Sequence, residues 1–561
     1  MLQTCLASDL KIYQPSDHTQ HLAAELSCSQ LTAGVLDMLK GSEDINTLKE
    51  WIHPDFLKQM DTLNLGTGSK AAKELWESKS SFGNVLVYGD YDTDGISSTV
   101  LAMEIFRNKA RQVRYFIPRR DVHGYGLNAG VLDKVAGLGC NTLVVVDCGT
   151  NDSEMLEALR KAGIDIFVFD HHSVSAPITI PAVVNPSIDM DSGDHQKICA
   201  TAVLWCWAWK ENIVPKKFLQ YEVDLPALAT IADCMPLHNL NRSLVRYGME
   251  LMRANPRRGL GALFDCLGIN RQQLSEEHLS MRVIPCLNAP GRIATADAGV
   301  RALLGAGSSD SVYACVNELM RINRKRQTLT ENIAHEIDDG ILTGKIRNNV
   351  IYREEWPIGV LSGVASRICA QYNRPIVLAA PTGTKVVRGT LRVPEGGDAV
   401  GVLREIAPKL DAWGGHKYAA GFSVLIENWR EVSRDLEEML TNIEIKPEEL
   451  TPVINISPAD ISIDDWRAVS ELGPFGNNNP APKFYTPAGA PQDIQPLGKE
   501  NKHTCILVNH KRLLAFNTAP RDVSEVIMHV KGWIYHPRLD YWRNEEQLQF
   551  ILDCAVMEGG S

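Results

Sequence analysis

Along the chain, apolar and polar positions change their period several times, and each change predicts a different kind of element. In the first 78 residues apolar positions recur three and four apart, as in LTAGVLDMLKGSEDINTLKEWI (31–52), which predicts a mostly helical segment. From about residue 83 short β-rich apolar runs appear: NVLVYGD, VRYFIP, TLVVVDCG and IDIFVFDHH. Helical stretches such as SSTVLAMEIFRNKA and DSEMLEALRKAG separate them. Near-continuous apolar strands alternating with helices predict a parallel sheet covered on both faces. A helical region broken by Pro and Gly follows to about 335. A second α/β region then offers NNVIYREEW, RPIVLAAP and GFSVLIENW as strands. After the linker-like EIKPEELTP, several short strands with turn signals predict a small barrel. The expected fold class is α/β, with five segments: 1–78 helical, 79–245 the parallel-sheet domain, 246–340 a helical connector, 341–447 a second α/β domain, and 448–561 the barrel.

The chemistry gathers where apolar runs end. Asp90, Asp92 and Asp94 alternate in GDYDTDG, Asp147 follows TLVVV, and Asp170, His171 and His172 follow FVF. Asp233 ends a moderately apolar stretch in LATIADCMPL and is read with the others as belonging to one sheet. Ligands of open α/β sheets collect outside the carboxyl ends of the strands. A crowd of carboxylates is costly without cations. Singly, an Asp after a strand is usually a helix cap or loop residue, and a His-His pair is usually structural. Four such endings together point instead to a metal centre. Carboxylate oxygen with imidazole nitrogen suits manganese, with magnesium as the alternative, and the number of acids suits two ions working on a phosphoryl centre.

Composition changes this picture little. The 561 residues carry 13 scattered cysteines with no C-x-x-C pair, which predicts reduced thiols and a cytoplasmic setting. No secretory leader and no membrane span is expected. The net charge of −11 argues against a generally basic nucleic-acid binder. Arg119, Arg120, Arg253, Arg257, Arg258 and RINRKRQ (321–327) are candidates for a local basic groove.

GDYDTDG, VVVDCG, FDHH and IADCMPL resemble, in order, the four motifs of the DHH phosphoesterase superfamily. WGGHKYAAGFSV (413–424) resembles the hallmark of the DHH-associated domain. LNAPGRIATADAGVRALL (287–304), RINRKRQ, PIGVLSGVASRI (357–368) and LGPFGNNNPAPKF (472–484) are similar to the RecJ single-strand-specific exonucleases in particular. The resemblance implies metal ligands at Asp92, Asp94, Asp147, His171 and Asp233, for two Mn2+ ions with Mg2+ as the alternative. It makes Asp90 a ligand or a supporting acid, sets His172 against the scissile phosphate or its water, and gives Arg292 a phosphate to hold. Ser366, Arg367, Arg392, Gly414, Gly415 and His416 would bind substrate phosphates near a 5′ end. The resemblance further implies an OB-like tail, single-stranded DNA as partner, 5′→3′ hydrolysis to mononucleotides in repair and recombination, and a monomer. A single-strand-binding protein or a helicase is the candidate protein partner. Trp533, Tyr535, Tyr541 and Trp542 are candidates for base stacking, each equally consistent with a core role. Thr93 replaces a frequent alanine, and its hydroxyl is expected to pair with a carboxylate. Pro290 and Thr390 are smaller departures. The rival readings are a nanoRNA or cyclic-dinucleotide phosphodiesterase and a non-catalytic replication scaffold.

Overall fold

The computed structural model describes residues 2–41, 43–119, 126–127, 129–188, 197–445, 452–498, 501–542 and 545–558. It divides into two compact units, residues 56–447 and a discontinuous unit formed by residues 1–55 with 448–561.

In the larger unit the first sheet is built from β1 (Asn84–Tyr88), β2 (Gln112–Phe116), β3 (Thr142–Val146), β4 (Asp165–Phe169) and β5 (Val183–Val184). All pairings are parallel and the order is β2-β1-β3-β4-β5. β3 is buried at every position, as expected of a strand covered on both faces. Helix α1 (Thr93–Arg107) follows β1, and α2 (Ala200–Lys210) and α3 (Asp224–Ala232) lie against α1. Their shared core is aromatic. Trp207 of α2 stands 4.9 Å from the Phe169 ring and also meets Phe167 and Trp76. In this strand order the chain leaves β1 and β3 in opposite directions, so a crevice opens at their carboxyl ends.

A connector brings α4 (Ile284–Ile293) and the long α5 (Ser309–Leu342) to the second sheet. That sheet contains β6 (Val350–Tyr352), β7 (Ile376–Thr382), β8 (Val386–Arg392), β9 (Ala412–His416) and β10 (Ala419–Leu425), in the order β9-β10-β8-β7-β6. Only β6 and β7 run parallel; the others are antiparallel. Helix α6 (Ile358–Tyr372) packs on it.

In the smaller unit the C-terminal strands are joined by strands from the start of the chain. Thr4–Leu6 runs parallel to Glu545–Met557, and Ile12–Tyr13 runs parallel to Val453–Asn455. Leu22, Val35, Leu36 and Leu48 share one core with Trp466, Phe484, Trp533 and Tyr535. No helix among the described residues is long and apolar enough to cross a membrane.

Three sequence expectations change here. Asp233 does not follow a strand: LATIA is helical, part of the almost wholly buried α3, and Asp233 is its C-cap. A continuous apolar run gives no period with which to tell a buried strand from a buried helix. Arg253, Arg257 and Arg258 do not form a groove, and Arg120 lies outside the described residues. Arg253 donates to the Leu274 carbonyl, Arg258 to those of Gly305 and Gly307, and Arg257 to Asp224 and Glu222. Trp533 and Tyr535 are fully buried, with Trp533 Nε1 donating to the Gly489 carbonyl and Tyr535 Oη to that of Ile456. Tyr541 is exposed, and the side chain of Trp542 lies outside the described residues.

Candidate functional site

β1 ends at Tyr88, and the turn into α1 fans its acids around one point. Asp92 is the N-cap of α1, accepting from the Gly95 N–H at 3.1 Å, and Asp94 sits in the first turn. Asp147 directly follows β3 with φ +60°, a left-handed conformation that Asp tolerates better than most residues. Asp170, His171 and His172 follow β4. Ligand atoms of Asp90, Asp92 and Asp147 lie within 4.8 Å of one another. So do those of Asp94, His171 and Asp233, and those of Asp147, His171 and His172. His171 Nε2 is 3.4 Å from Asp147, 3.5 Å from Asp233 and 4.0 Å from Asp94.

The electrostatics of this cluster call for cations. Burial, then the neighbouring carboxylates, raise Asp92 and Asp147 above the ordinary carboxylate range. The same causes push Asp233 up to about 8. Its Oδ2 is shielded from solvent and makes no hydrogen bond among the described residues. Burial lowers His171 against the pull of the aspartates, favouring the neutral imidazole that a metal requires. Carboxylates on several sides with one neutral imidazole fit a pair of hard divalent ions, manganese better than magnesium, which takes oxygen almost alone.

Asp170 has a different part. Its Oδ1 accepts from the His171 and His172 N–H groups and pairs with His172 Nδ1 at 2.7 Å, while Oδ2 accepts from the Thr150 N–H. Burial works against its charge, but the His172 interaction outweighs it and holds the carboxyl below its usual value. His172 answers in kind: burial lowers it, the bond and charge of Asp170 raise it more, and it reaches about 9. Asp170 thus favours the protonated form of His172.

Helix α4 joins this cluster to a second feature. The Thr93 N–H and hydroxyl both donate to the Asn288 side-chain oxygen at 2.8 Å, so Thr93 pairs with an amide rather than with a carboxylate. A Cβ on Gly291 would come within 2.4 Å of the Tyr91 carbonyl, and one on Gly359 within 1.8 Å of the Arg292 carbonyl. α4 is thus seated directly on the metal-binding turn at one side and on α6 at the other. Its last turn carries Arg292, whose guanidinium donates to Ser362 Oγ at 2.8 Å.

Arg292 lines a cavity of about 370 Å³ with Arg326, Ser366, Arg367 and Arg392. Arg392 donates to Ser366 and Thr390, and burial together with Arg292 lowers its guanidinium. Burial also lowers Arg326, whose Nε is buried without an acceptor among the described residues. Four guanidiniums converging on one cavity suit a phosphate, which offers each an acceptor oxygen. Of the residues expected to bind phosphate, Arg292, Ser366, Arg367 and Arg392 meet here. Gly414, Gly415 and His416 do not line the cavity; they lie on β9, the exposed edge strand. Arg326 stands within RINRKRQ, but nothing in that run separates it from its solvated neighbours. Asn288 gave no signal of its own.

Three family models match: "DHH family, N-terminal domain" over residues 84–235, "DHHA1 domain" over 342–442, and "RecJ OB domain" over 454–553. The chain thus carries a DHH domain, a DHHA1 domain and a RecJ OB domain in that order, and it resembles the RecJ group of the DHH phosphoesterase superfamily. Among RecJ relatives, the single-stranded-DNA-specific exonuclease of Bacillus subtilis is 25% identical over 99% of this chain and 72% of its own length. That of Thermus thermophilus is 30% identical over 80% of this chain and 65% of its own length, just under two thirds. The crystal structure of Thermus thermophilus RecJ in complex with Mn2+ superposes with a TM-score of 0.78 at 25% identity, covering 98% of this chain and 80% of that one. The RecJ group thus accounts for both sheets and for the C-terminal strands, in the order in which they occur here.

Proposed function

We propose that the chain is a metal-dependent exonuclease that hydrolyses single-stranded DNA from the 5′ end to mononucleotides, serving DNA repair and recombination. The observation that carries this reading is α4, which rests on the metal-binding turn at Gly291 and delivers Arg292 to the arginine-lined cavity one residue later. A terminal phosphate held by Arg292, Arg326, Arg367 and Arg392 would place the first phosphodiester at the acid cluster. The relatives named above support the substrate class, and the Thermus thermophilus structure in complex with Mn2+ supports the metal.

Asp92, Asp94, Asp147, His171 and Asp233 would hold the ions, with Asp90 beside them. Two ions so held would acidify a bound water and steady the leaving 3′ oxygen of an in-line displacement. His172, held by its bond to Asp170, would contact the scissile phosphate or its water. Arg292 fixes the phosphate chain, which lowers the entropic part of the barrier. Selection of single strands is assigned to the passage between the two sheet domains, and the OB domain offers further strand contacts.

Single strands labelled at the 5′ or 3′ end, incubated with Mn2+ or Mg2+, test the reading. Loss of a 5′ label as mononucleotide at the first turnover is expected. Digestion from the 3′ end would overturn the polarity. Faster cleavage of dinucleotides would move the activity to the small-substrate phosphodiesterases, and undiminished function of Asp147→Ala would favour a scaffold.

A further inference from the structure

Helix α2 begins without a cap of its own. Cys199 precedes it in extended conformation and its side chain makes no capping hydrogen bond. The exposed N–H groups of a helix start must find acceptors elsewhere. Here they find Asp94, on a different helix and more than a hundred residues earlier. Asp94 Oδ2 accepts from the Ala200 N–H at 2.7 Å, and Oδ1 accepts from the Thr201 N–H at 2.9 Å. The Thr201 hydroxyl donates to the same Oδ1 at 2.6 Å. Both oxygens are therefore held by one helix end, and the carboxylate plane is fixed. Asp94 and Thr201 are almost wholly buried, so water does not compete for these bonds.

The helix end is itself rigid. α2 carries Trp205, Trp207 and Trp209 into the core beneath the sheet, with Trp205 and Trp209 stacked at 5.1 Å and Trp205 Nε1 donating to the Leu219 carbonyl. A post anchored by three indoles thus aims a carboxylate whose Oδ2 stands 4.0 Å from His171 Nε2.

We propose that Thr201 is a positioning residue for one of the two metal positions, the one bounded by Asp94, His171 and Asp233. The inference rests on the two-ion reading above. The hydroxyl bond sets the rotation of the Asp94 carboxylate, so that Oδ2 keeps a lone pair directed at the ion shared with His171 and Asp233. The position bounded by Asp90, Asp92 and Asp147 does not depend on this bond. Groups that orient a metal ligand typically carry ~10–100-fold of metal affinity.

The test is Mn2+ titration of the full chain, with free Mn2+ followed by its electron paramagnetic resonance signal. Wild type is expected to bind two ions. Thr201→Val, which keeps the side-chain shape and the N–H, is expected to weaken one binding class by ~10–100-fold and leave the other unchanged. Thr201→Ser restores the hydroxyl and is expected to restore the weakened class. Thr201→Ala repeats the comparison without a methyl group facing Asp94, in case the valine crowds the helix start. Two wild-type binding classes that are both unaltered in Thr201→Val or Thr201→Ala would overturn the inference and leave the two-ion reading intact. Equal weakening of both classes, or no recovery with serine, would also overturn it. A wild-type chain that binds no Mn2+ would instead defeat the reading on which it rests.

Discussion

Asp170 is in none of the three groups of clustered ligand atoms among the described residues, yet it organises the two histidines beside them. Four donors, His171 N–H, His172 N–H, His172 Nδ1 and Thr150 N–H, converge on its carboxylate. Replacing it with Asn removes the negative charge and turns one acceptor into a donor. We expect Asp170→Asn to lower the turnover rate by ~10–100-fold, with Thr150→Ala far milder, as measured by release of 5′ label. Arg326 lines the cavity, and its buried Nε has no acceptor among the described residues. Arg326→Ala should weaken 5′-phosphorylated strands against 5′-hydroxyl strands by about tenfold or more, the worth of one charge-assisted hydrogen bond. An unchanged ratio in competition binding would remove Arg326 from the phosphate site. In the smaller unit Asp37 accepts from Tyr13, from Thr19 at 2.8 Å and from His18 at 3.1 Å. Burial opposes its charge, but these bonds outweigh that and lower the carboxyl below 3.8. A carboxyl lowered in the folded state adds stability that is complete above pH 3.8 and is lost as pH falls through its folded value. Asp37→Asn should therefore cost ~1–3 kcal/mol at neutral pH, and the gap from wild type should close in acid unfolding curves.

At the scale of elements, α4 links the two sheets of the larger unit. One face meets the metal-binding turn through Gly291 and the Asn288–Thr93 bonds, and its end meets α6 through Gly359. These are backbone approaches with no room for a side chain. Gly359→Ala must displace α6 from α4, at an overpacking cost of ~1–3 kcal/mol. Because α6 carries Ser366 and Arg367, the same change should blunt discrimination between phosphorylated and unphosphorylated strands. A variant with lowered melting temperature but unaltered discrimination would show that the cavity does not depend on this contact.

At the scale of the whole molecule, the two ends of the chain make one unit. The strands Thr4–Leu6 and Ile12–Tyr13 complete the C-terminal sheet, and the N-terminal helices bury Leu22, Val35 and Leu36 against Ile454, Trp466 and Phe484. Residues 448–561 expressed alone would expose both a sheet edge and this apolar face. We expect that fragment to aggregate or bind a hydrophobic dye, and to become soluble when residues 1–55 are co-expressed. A soluble 448–561 fragment with a sharp unfolding transition would contradict this.

By itself the sequence determined four of the five strands of the first sheet and the acids that follow three of them, because a strand covered on both faces is largely apolar and its charged residues gather where it stops. It also carried the motifs by which the RecJ resemblance could be stated. Tertiary structure decided what local pattern cannot express. Asp233 joins the cluster from the end of a helix, since an unbroken apolar run leaves its period unreadable. Arg326 is set apart from the charged residues around it only by the direction in which α5 turns it. Trp533 and Tyr535 went to the core because aromatic side chains serve a core or a ligand equally well until burial is known. Thr201 meets Asp94 only because α2 packs beside α1, a contact between residues that carry no mark of each other in the chain.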